Sequence, residues 1–296
     1  MPAARAERAP AKINLTLRVV GRRPDGYHDI ESLVVFARIA DTLTFTPARA
    51  LALTVRGPTA SLSGRTDDNL VLKAARALAE RVDGLKLGRF QLLKRLPVAA
   101  GLGGGSADAA AALRLLARAN RLAFDDPRLI QAARVSGADV PVCLRPLARV
   151  MRGIGDVLSD PLKLPELPAV LVNPGVAVPT KDVFAALKTR AKQGAAPKRS
   201  SPFEARSKRA RLRTADLIAA LAEDRNDLEA PAIAIAPVIA DVLARLRALK
   251  GCNFARMSGS GATCFGLFGT AQGAAAAARA LRKKHPDWWI RATTLR

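Results

Sequence analysis

The sequence predicts an α+β protein, and three observations carry that reading. First, the stretch KINLTLRVVG alternates: Ile13, Leu15, Leu17 and Val19 share one face, and Lys12, Asn14, Thr16 and Arg18 share the other. That is the period of a half-buried strand. Second, DDNLVLKAARALAERV and DDPRLIQAARVSG open on acidic cap candidates and continue with a helical period. Third, strand-like and helix-like runs follow one another without the regular strand–helix–strand alternation of a parallel sheet. No repeat at a fixed period is present. The 296 residues suffice for two modest domains. A boundary near Asp156 divides the chain into 1–156 and 157–296.

The first strand is followed by GRRPDGYHD, whose Pro-Asp-Gly is turn chemistry. IESLVVFARI, DTLTFTP and LALTVRG read as three further strands. DDNLVLKAARALAERV is a helix with Asp67 or Asp68 as its cap, and GRFQLLKRLP is a strand. A glycine-rich loop and an alanine-rich helix to Arg121 come next, then a helix ending at Gly137 in a left-handed cap. GADVPVCL reads as a prolyl bend into an apolar strand, and ARVMRGIGDVLSD and PAVLVNPGVAVPT as strands. TKDVFAALKT, TADLIAALAE and Pro231–Lys250 read as helices. The end of the sequence reads strand, Gly/Ser turn, strand, helix (QGAAAAARALRKKH) and strand (WWIRATTL).

About half the residues are apolar, which allows a packed core and argues against disorder. The N-terminal MPAARAERAPAKINL has charges but no apolar segment, unlike a secretory signal, and no run of about eighteen apolar residues suggests a membrane span. Cys143, Cys252 and Cys264 are odd in number and form no C-x-x-C pair, which points to a reducing, cytoplasmic setting. Two histidines, His28 and His285, exclude a His-rich metal site. The net charge of +23 raises nucleic-acid binding as a reading. A single tyrosine, few aromatics and no nucleic-acid motif argue against it. Lys188–Arg213 carries ten Lys/Arg against one Glu and reads as a solvated segment or insertion.

The segment LPVAAGLGGGSADAAAALRLL has the form of an anion-binding loop opening a helix. Small residues let the backbone approach a phosphate, consecutive amides form a nest, and the helix adds its positive end. It is neither a Walker loop, which needs Gly-Lys-Ser/Thr, nor a dinucleotide fingerprint, since Ser106 stands where the last glycine belongs. Full positive charge must come from elsewhere, because phosphoryl transfer needs charge compensation. Lys12 is the candidate, with Asn14 about 7 Å along the same strand face. Asp139, in SGADVPVCL, is either a turn or cap aspartate or a carboxylate able to take a proton from an alcohol.

Taken together, these segments resemble the GHMP small-molecule kinases. The resemblance rests on P-x-x-x-G-L-G-G-G-S at Pro97–Ser106, A-K-I-N-L near the start, and S-G-S-G-A at Ser258–Ala262. Within that group the chain is similar to the family acting on a cytidylated methylerythritol. That narrower match lies in PAKINLTLRVVGRRPDGYHDIES, DDNLVLKAA, GLGGGSADAA, GADVPVCL, NPGVAVPTKDVF and RNDLE, which span nearly the whole chain. The resemblance implies a two-domain α+β fold with the active site in the cleft between the halves. It implies ATP and Mg²⁺, and phosphorylation of the 2-hydroxyl of 4-diphosphocytidyl-2-C-methyl-D-erythritol in non-mevalonate isoprenoid synthesis. Asp139 would be the general base and Lys12 its charge partner. Pro97, Val98, Ala99, Ala100, Gly101, Leu102, Gly103, Gly104, Gly105, Ser106 and Ala107 would cradle the ATP phosphates, and Asn69 and Leu70 would line the adenine side. Asn14, Tyr27, His28, Thr180 and Phe184 would contact the substrate. Tyr27 and Phe184 offer stacking faces and His28 a hydrogen bond to the cytosine edge; Thr180 is also a candidate helix cap. The wider superfamily carries G-L-G-S-S; here Gly104 and Gly105 replace a serine able to reach Mg²⁺, so no residue is assigned as metal ligand. No nucleic-acid or membrane partner is expected, and the protein is expected to be a monomer or homodimer. The competing readings are a homoserine- or mevalonate-type alcohol kinase and a basic nucleic-acid-binding protein.

Overall fold

The computed structural model of the chain describes residues 5–187, 201, 203–204 and 212–296. In chain order these form β1 (Arg5–Asn14), β2 (Arg18–Arg22), β3 (His28–Pro47), β4 (Ala52–Arg56), α1 (Leu70–Ala79), β5 (Gly88–Leu93), α2 (Gly104–Ala119), α3 (Pro127–Ser136), α4 (Val140–Leu144), β6 (Arg149–Gly153), β7 (Val157–Leu158) and β8 (Leu167–Asn173). They continue with α5 (Thr180–Ala185), α6 (Thr214–Ala222), α7 (Glu229–Ile235), α8 (Val238–Arg247), β9 (Cys252–Met257), β10 (Cys264–Phe268), α9 (Ala271–Lys284) and β11 (Trp289–Leu295). The basic stretch Lys188–Arg213 lies outside the described residues, apart from Ser201, Phe203, Glu204, Leu212 and Arg213. The α+β class is the one expected from the sequence.

The described chain forms two compact units, each assembled from separated stretches: 1–12, 39–98 and 103–146 in the first, and 13–38, 99–102 and 147–296 in the second. In the first unit, β4 runs parallel to β5, and β5 pairs antiparallel with the end of β3, from Thr42↔Leu93 to Pro47↔Gly88. The sequence GRFQLL explains the pairing: Phe90 and Leu92 point inward while Arg89 and Gln91 face water. Phe90 meets Phe45 across the ladder, ring centroids 5.0 Å apart and tilted by 42°. α1, α2, α3 and α4 pack on one another. From Ala107 to Ala117, every residue of α2 is buried. Its small alanines allow neighbouring helices on all sides.

Local chemistry sets the helix ends. Asn69, rather than Asp67 or Asp68, caps α1: its side-chain oxygen accepts from the Val71 amide, and the two aspartates lie in a 3-10 turn, Thr66–Asp68. Asp126 caps α3 through the Arg128 amide, with Pro127 favourable in the first turn. Gly137 closes α3 with extended backbone (φ 163°), not the left-handed cap expected. The apolar run after Asp139 is the helix α4, not a strand. A short apolar run has no period that separates the two, and Pro141 suits a helix's first turn. The expected strands IESLVVFARI and DTLTFTP are one continuous strand of 20 residues, β3.

In the second unit the strand order is β3-β11-β8-β10-β9. β11 pairs antiparallel with β8 from Trp289↔Asn173 to Leu295↔Leu167, and meets β3 at Leu295↔Ala37. β2 and β6 pair with the first part of β3, and β7 with β6. β8 reads LPAVLVN and is buried at all but Pro168, the mark of a central strand covered on both faces. The helix expected over Pro231–Lys250 is two helices, α7 and α8, divided at Pro237.

Replacing Phe90, 1% exposed, by alanine is expected to lower stability by about 3–5 kcal/mol. A denaturant midpoint unchanged from the parent would contradict this placement of the core.

Candidate active site

The first unit brings Lys12, Asp139 and the second half of the glycine loop together. Lys12 leaves β1 with its side chain almost wholly buried, and its Nζ lies 3.0 Å from Asp139 Oδ2. Asp139 stands at the N-cap position of α4, but its carboxylate accepts no capping hydrogen bond. It is turned to Lys12, and its side chain keeps 34% exposure. The pair thus has a buried cation and a carboxylate open enough to meet a substrate. Gly103, at φ +58°, is the cap residue of α2 and has no side chain to accept from the first-turn amides. A methyl group there would come 3.1 Å from Lys12 Cε. The glycine therefore lets the uncapped helix end approach the lysine, which suits an anion of high charge. Gly104 and Ser106 are half-buried and Gly105 is exposed, while Ala107 is buried behind them. Leu70 lies against Gly105, where a methyl group would be 3.4 Å from Leu70 Cδ1. Asn69 uses its side-chain oxygen as the α1 cap. Pro97 and Val98 are half-buried at the loop's entrance.

The second unit holds the middle of that loop. Ala99 is exposed in a left-handed conformation, and Ala100 and Leu102 are buried. Gly101, at φ +73°, is required by close approach: a methyl group would lie 2.3 Å from the Ser258 carbonyl oxygen. Ser258 Oγ donates to the Gly101 carbonyl and accepts from the Asn14 amide. The Asn14 side-chain nitrogen donates to Ser32 Oγ at 2.7 Å. His28 stacks on Phe184, centroids 4.9 Å apart and interplanar angle 25°. Burial, and then the charge of Arg22, lower the His28 pKa, so the imidazole is neutral at pH 7 and offers both a donor and an acceptor. Tyr27 is 59% exposed. Thr180 begins α5, whose cap position is Pro179; the Thr180 hydroxyl instead meets Ser260 Oγ at 2.8 Å.

The chain has close counterparts among known proteins. The GHMP kinase N-terminal domain model matches residues 69–145 and the GHMP kinase C-terminal model matches 208–287. The 4-diphosphocytidyl-2-C-methyl-D-erythritol kinase of Methylobacterium radiotolerans is 58% identical over 294 residues, covering 98% of this chain and 99% of its own. The enzyme of that name from Rhodopseudomonas palustris is 56% identical over 296 residues, covering 98% of each. The chain belongs to this kinase family. A crystal structure titled 4-(cytidine 5'-diphospho)-2C-methyl-D-erythritol kinase matches with a TM-score of 0.76 and 36% identity, over 98% of this chain and 99% of that one. A homoserine kinase from Cytophaga hutchinsonii shares the fold, with a TM-score of 0.70 at 19% identity. As a GHMP kinase the protein is an ATP-dependent small-molecule kinase. Among the described residues, no helix is long and apolar enough to cross a membrane, and no group of three or more His, Cys, Asp or Glu could hold a metal ion.

Sequence reasoning passed over three parts of this kinase. Asn226, in RNDLE, donates to the carbonyls of Met257 and Gly259 and so fixes the S-G-S-G-A turn. Arg114 is a buried arginine inside the alanine-rich helix. Lys94, at the end of β5, lies 2.6 Å from both Asp41 Oδ2 and Asp108 Oδ2. Only Arg114 carried a signal, as one charged residue in an otherwise apolar run; Asn226 sits among charged residues in EDRNDLE and Lys94 beside Arg95. Asp41 also accepts from the amides of Arg95 and Leu96, just before the glycine loop, and Asp108 lies just after it. Burial raises the Asp108 carboxyl to about 7, with the neighbouring Asp41 adding to the rise against the opposing pull of Lys94.

The folded protein therefore keeps a proton that the unfolded chain loses near 3.8. This group's contribution to stability is full below that value, declines as pH rises, and is gone above about 7. Asp108→Asn is expected to remove that decline. Denaturation midpoints from pH 5 to 8 that fall equally in parent and variant would contradict it.

Proposed function

We propose that this kinase transfers the γ-phosphoryl group of ATP to the 2-hydroxyl of 4-diphosphocytidyl-2-C-methyl-D-erythritol. The products are the 2-phosphate and ADP, in the non-mevalonate route to isoprenoid precursors. The observation that carries this reading is identity of 54–58% over nearly the full chain to enzymes of that name. The homoserine kinase fold match stands at 19%, which favours the cytidylated substrate over a homoserine-type alcohol.

In this reading Asp139 is the general base. It takes the proton of the substrate hydroxyl as the oxygen bonds to the γ-phosphorus and the bond to the β–γ bridging oxygen breaks. Lys12, 3.0 Å from that carboxylate and beside Gly103, balances charge as it develops on the moving phosphoryl group. Pro97–Ala107 cradle the phosphates, with the Gly103-capped helix end as the feature that fits them. Asn69 and Leu70 line the adenine side; Asn69 retains its amide nitrogen for this, its oxygen being the helix cap. Mg²⁺ would enter on the triphosphate, keeping several waters, and neutralise part of its charge. Asn14 orients the substrate. His28, neutral and stacked on Phe184, reads the cytosine edge, and the exposed Tyr27 supplies a further face. Thr180 contacts the substrate near Ser260. The division of the chain at 156 belongs to the same reading, and the two matched segments, 69–145 and 208–287, fall on either side of it.

Asp139→Asn is expected to lower kcat by at least about 10²-fold. ADP release would be followed with Mg-ATP and the cytidylated alcohol, with free methylerythritol phosphate as the comparison. Near-parental turnover of the variant would remove Asp139 as the base. Turnover of both alcohols alike by the parent would remove the cytidine pocket.

A further inference from the structure

Arg114 is buried at 6% exposure in the middle of α2, and each nitrogen of its guanidinium has a partner. Nη1 donates to the Cys143 carbonyl at 2.8 Å, Nη2 to the Arg8 carbonyl at 2.7 Å, and Nε to Glu7 Oε2 at 3.0 Å. Glu7 is also paired with Arg118. The two carbonyls are not ordinary acceptors. Cys143 lies in α4, four residues after Asp139, at the helix end where carbonyls lack intrahelical partners. Arg8 lies in β1, four residues before Lys12. One rigid planar fork thus grips the backbones of the two elements that carry the lysine–aspartate pair.

A desolvated arginine is costly unless every donor is satisfied, and an alanine-rich helix interior would pack without one. Its geometry accounts for its presence. β1 and α4 are far apart in sequence, and α4 is only five residues long, too short to be held by its own hydrogen bonds. The 3.0 Å separation of Lys12 and Asp139 needs an external reference.

We propose that Arg114 is a positioning residue for phosphoryl transfer, setting the Lys12–Asp139 geometry by holding the main-chain oxygens of Arg8 and Cys143 on a single guanidinium. The proposal rests on the reading of that pair as the reacting groups. It touches no substrate; it acts through β1 and α4.

A double-mutant cycle tests it. Arg114→Gln in the parent is expected to lower kcat about 10- to 100-fold, the scale of a misplacement near 1 Å, with KM for both substrates within about twofold. In an Asp139→Asn background the same substitution is expected to change the residual kcat less than about twofold, because the geometry it sets no longer matters. Arg114→Lys keeps the charge beside Glu7 but cannot hold both carbonyls. It supplies the same comparison at smaller amplitude should the glutamine variant fold poorly. An equal fall in both backgrounds, an effect confined to KM, or no fall in kcat would overturn the proposal. Parental turnover of Asp139→Asn alone would overturn instead the reading of the pair, whatever Arg114 does.

Discussion

Lys94 lies between Asp41 and Asp108, all three with almost no exposure, and the placement of the glycine loop depends on this contact. Asp41 comes from β3 and also takes the amides of Arg95 and Leu96, which lead into the loop. Asp108 comes from the first turns of α2, which leads out of it. A single ammonium therefore references both ends of an eleven-residue glycine-rich segment that has few side chains of its own to hold it. Such a cluster contributes little net stability, since desolvation offsets most of the attraction. Removing Lys94 is another matter: it leaves the two buried aspartates without their cation, at about 3–5 kcal/mol. The constraint acts by making alternatives expensive.

The two units carry different chemistry. The first holds the charged pair, Lys12 and Asp139, and the open end of α2. The second holds rings and neutral donors: His28 on Phe184, Asn14 tied to Ser32, and the turn that Asn226 secures. In the proposed reading, phosphoryl transfer would draw on the desolvated cation, and base recognition on the flat faces and neutral hydrogen-bonding groups.

What could be read from the sequence was what is local. α1, α3 and the glycine-opened α2 were legible because period and loop chemistry sit within a few residues of one another. The half-buried strand expected over KINLTLRVVG is instead the end of β1 and most of β2, with Lys12, Asn14 and Thr16 buried as well, because both faces of this stretch are covered. α4 was misread because five apolar residues carry no usable period. β3 was read as two strands because Ala40-Asp41 resembles a polar break, whereas Asp41 is a fully buried partner of Lys94. Lys94, Arg114 and Asn226 were missed for one reason: each acts on groups far away in the chain, as Arg114 does on Glu7, 107 residues earlier. Lys12 and Asp139 are just as distant from each other, and resemblance rather than pattern joined them.

The interleaving of the two units has a consequence for biosynthesis. Every stretch of the first unit precedes residue 147, so its sheet and helices can close while later parts of the chain are still on the ribosome. The second unit cannot. Its order β3-β11-β8 places the last described strand between two that are made long before it. Until β11 arrives, Ala37 on β3 and the full length of β8 lack their neighbour. The nascent second unit therefore displays an unpaired, largely apolar strand edge, which makes it the part of the molecule most in need of a chaperone's cover.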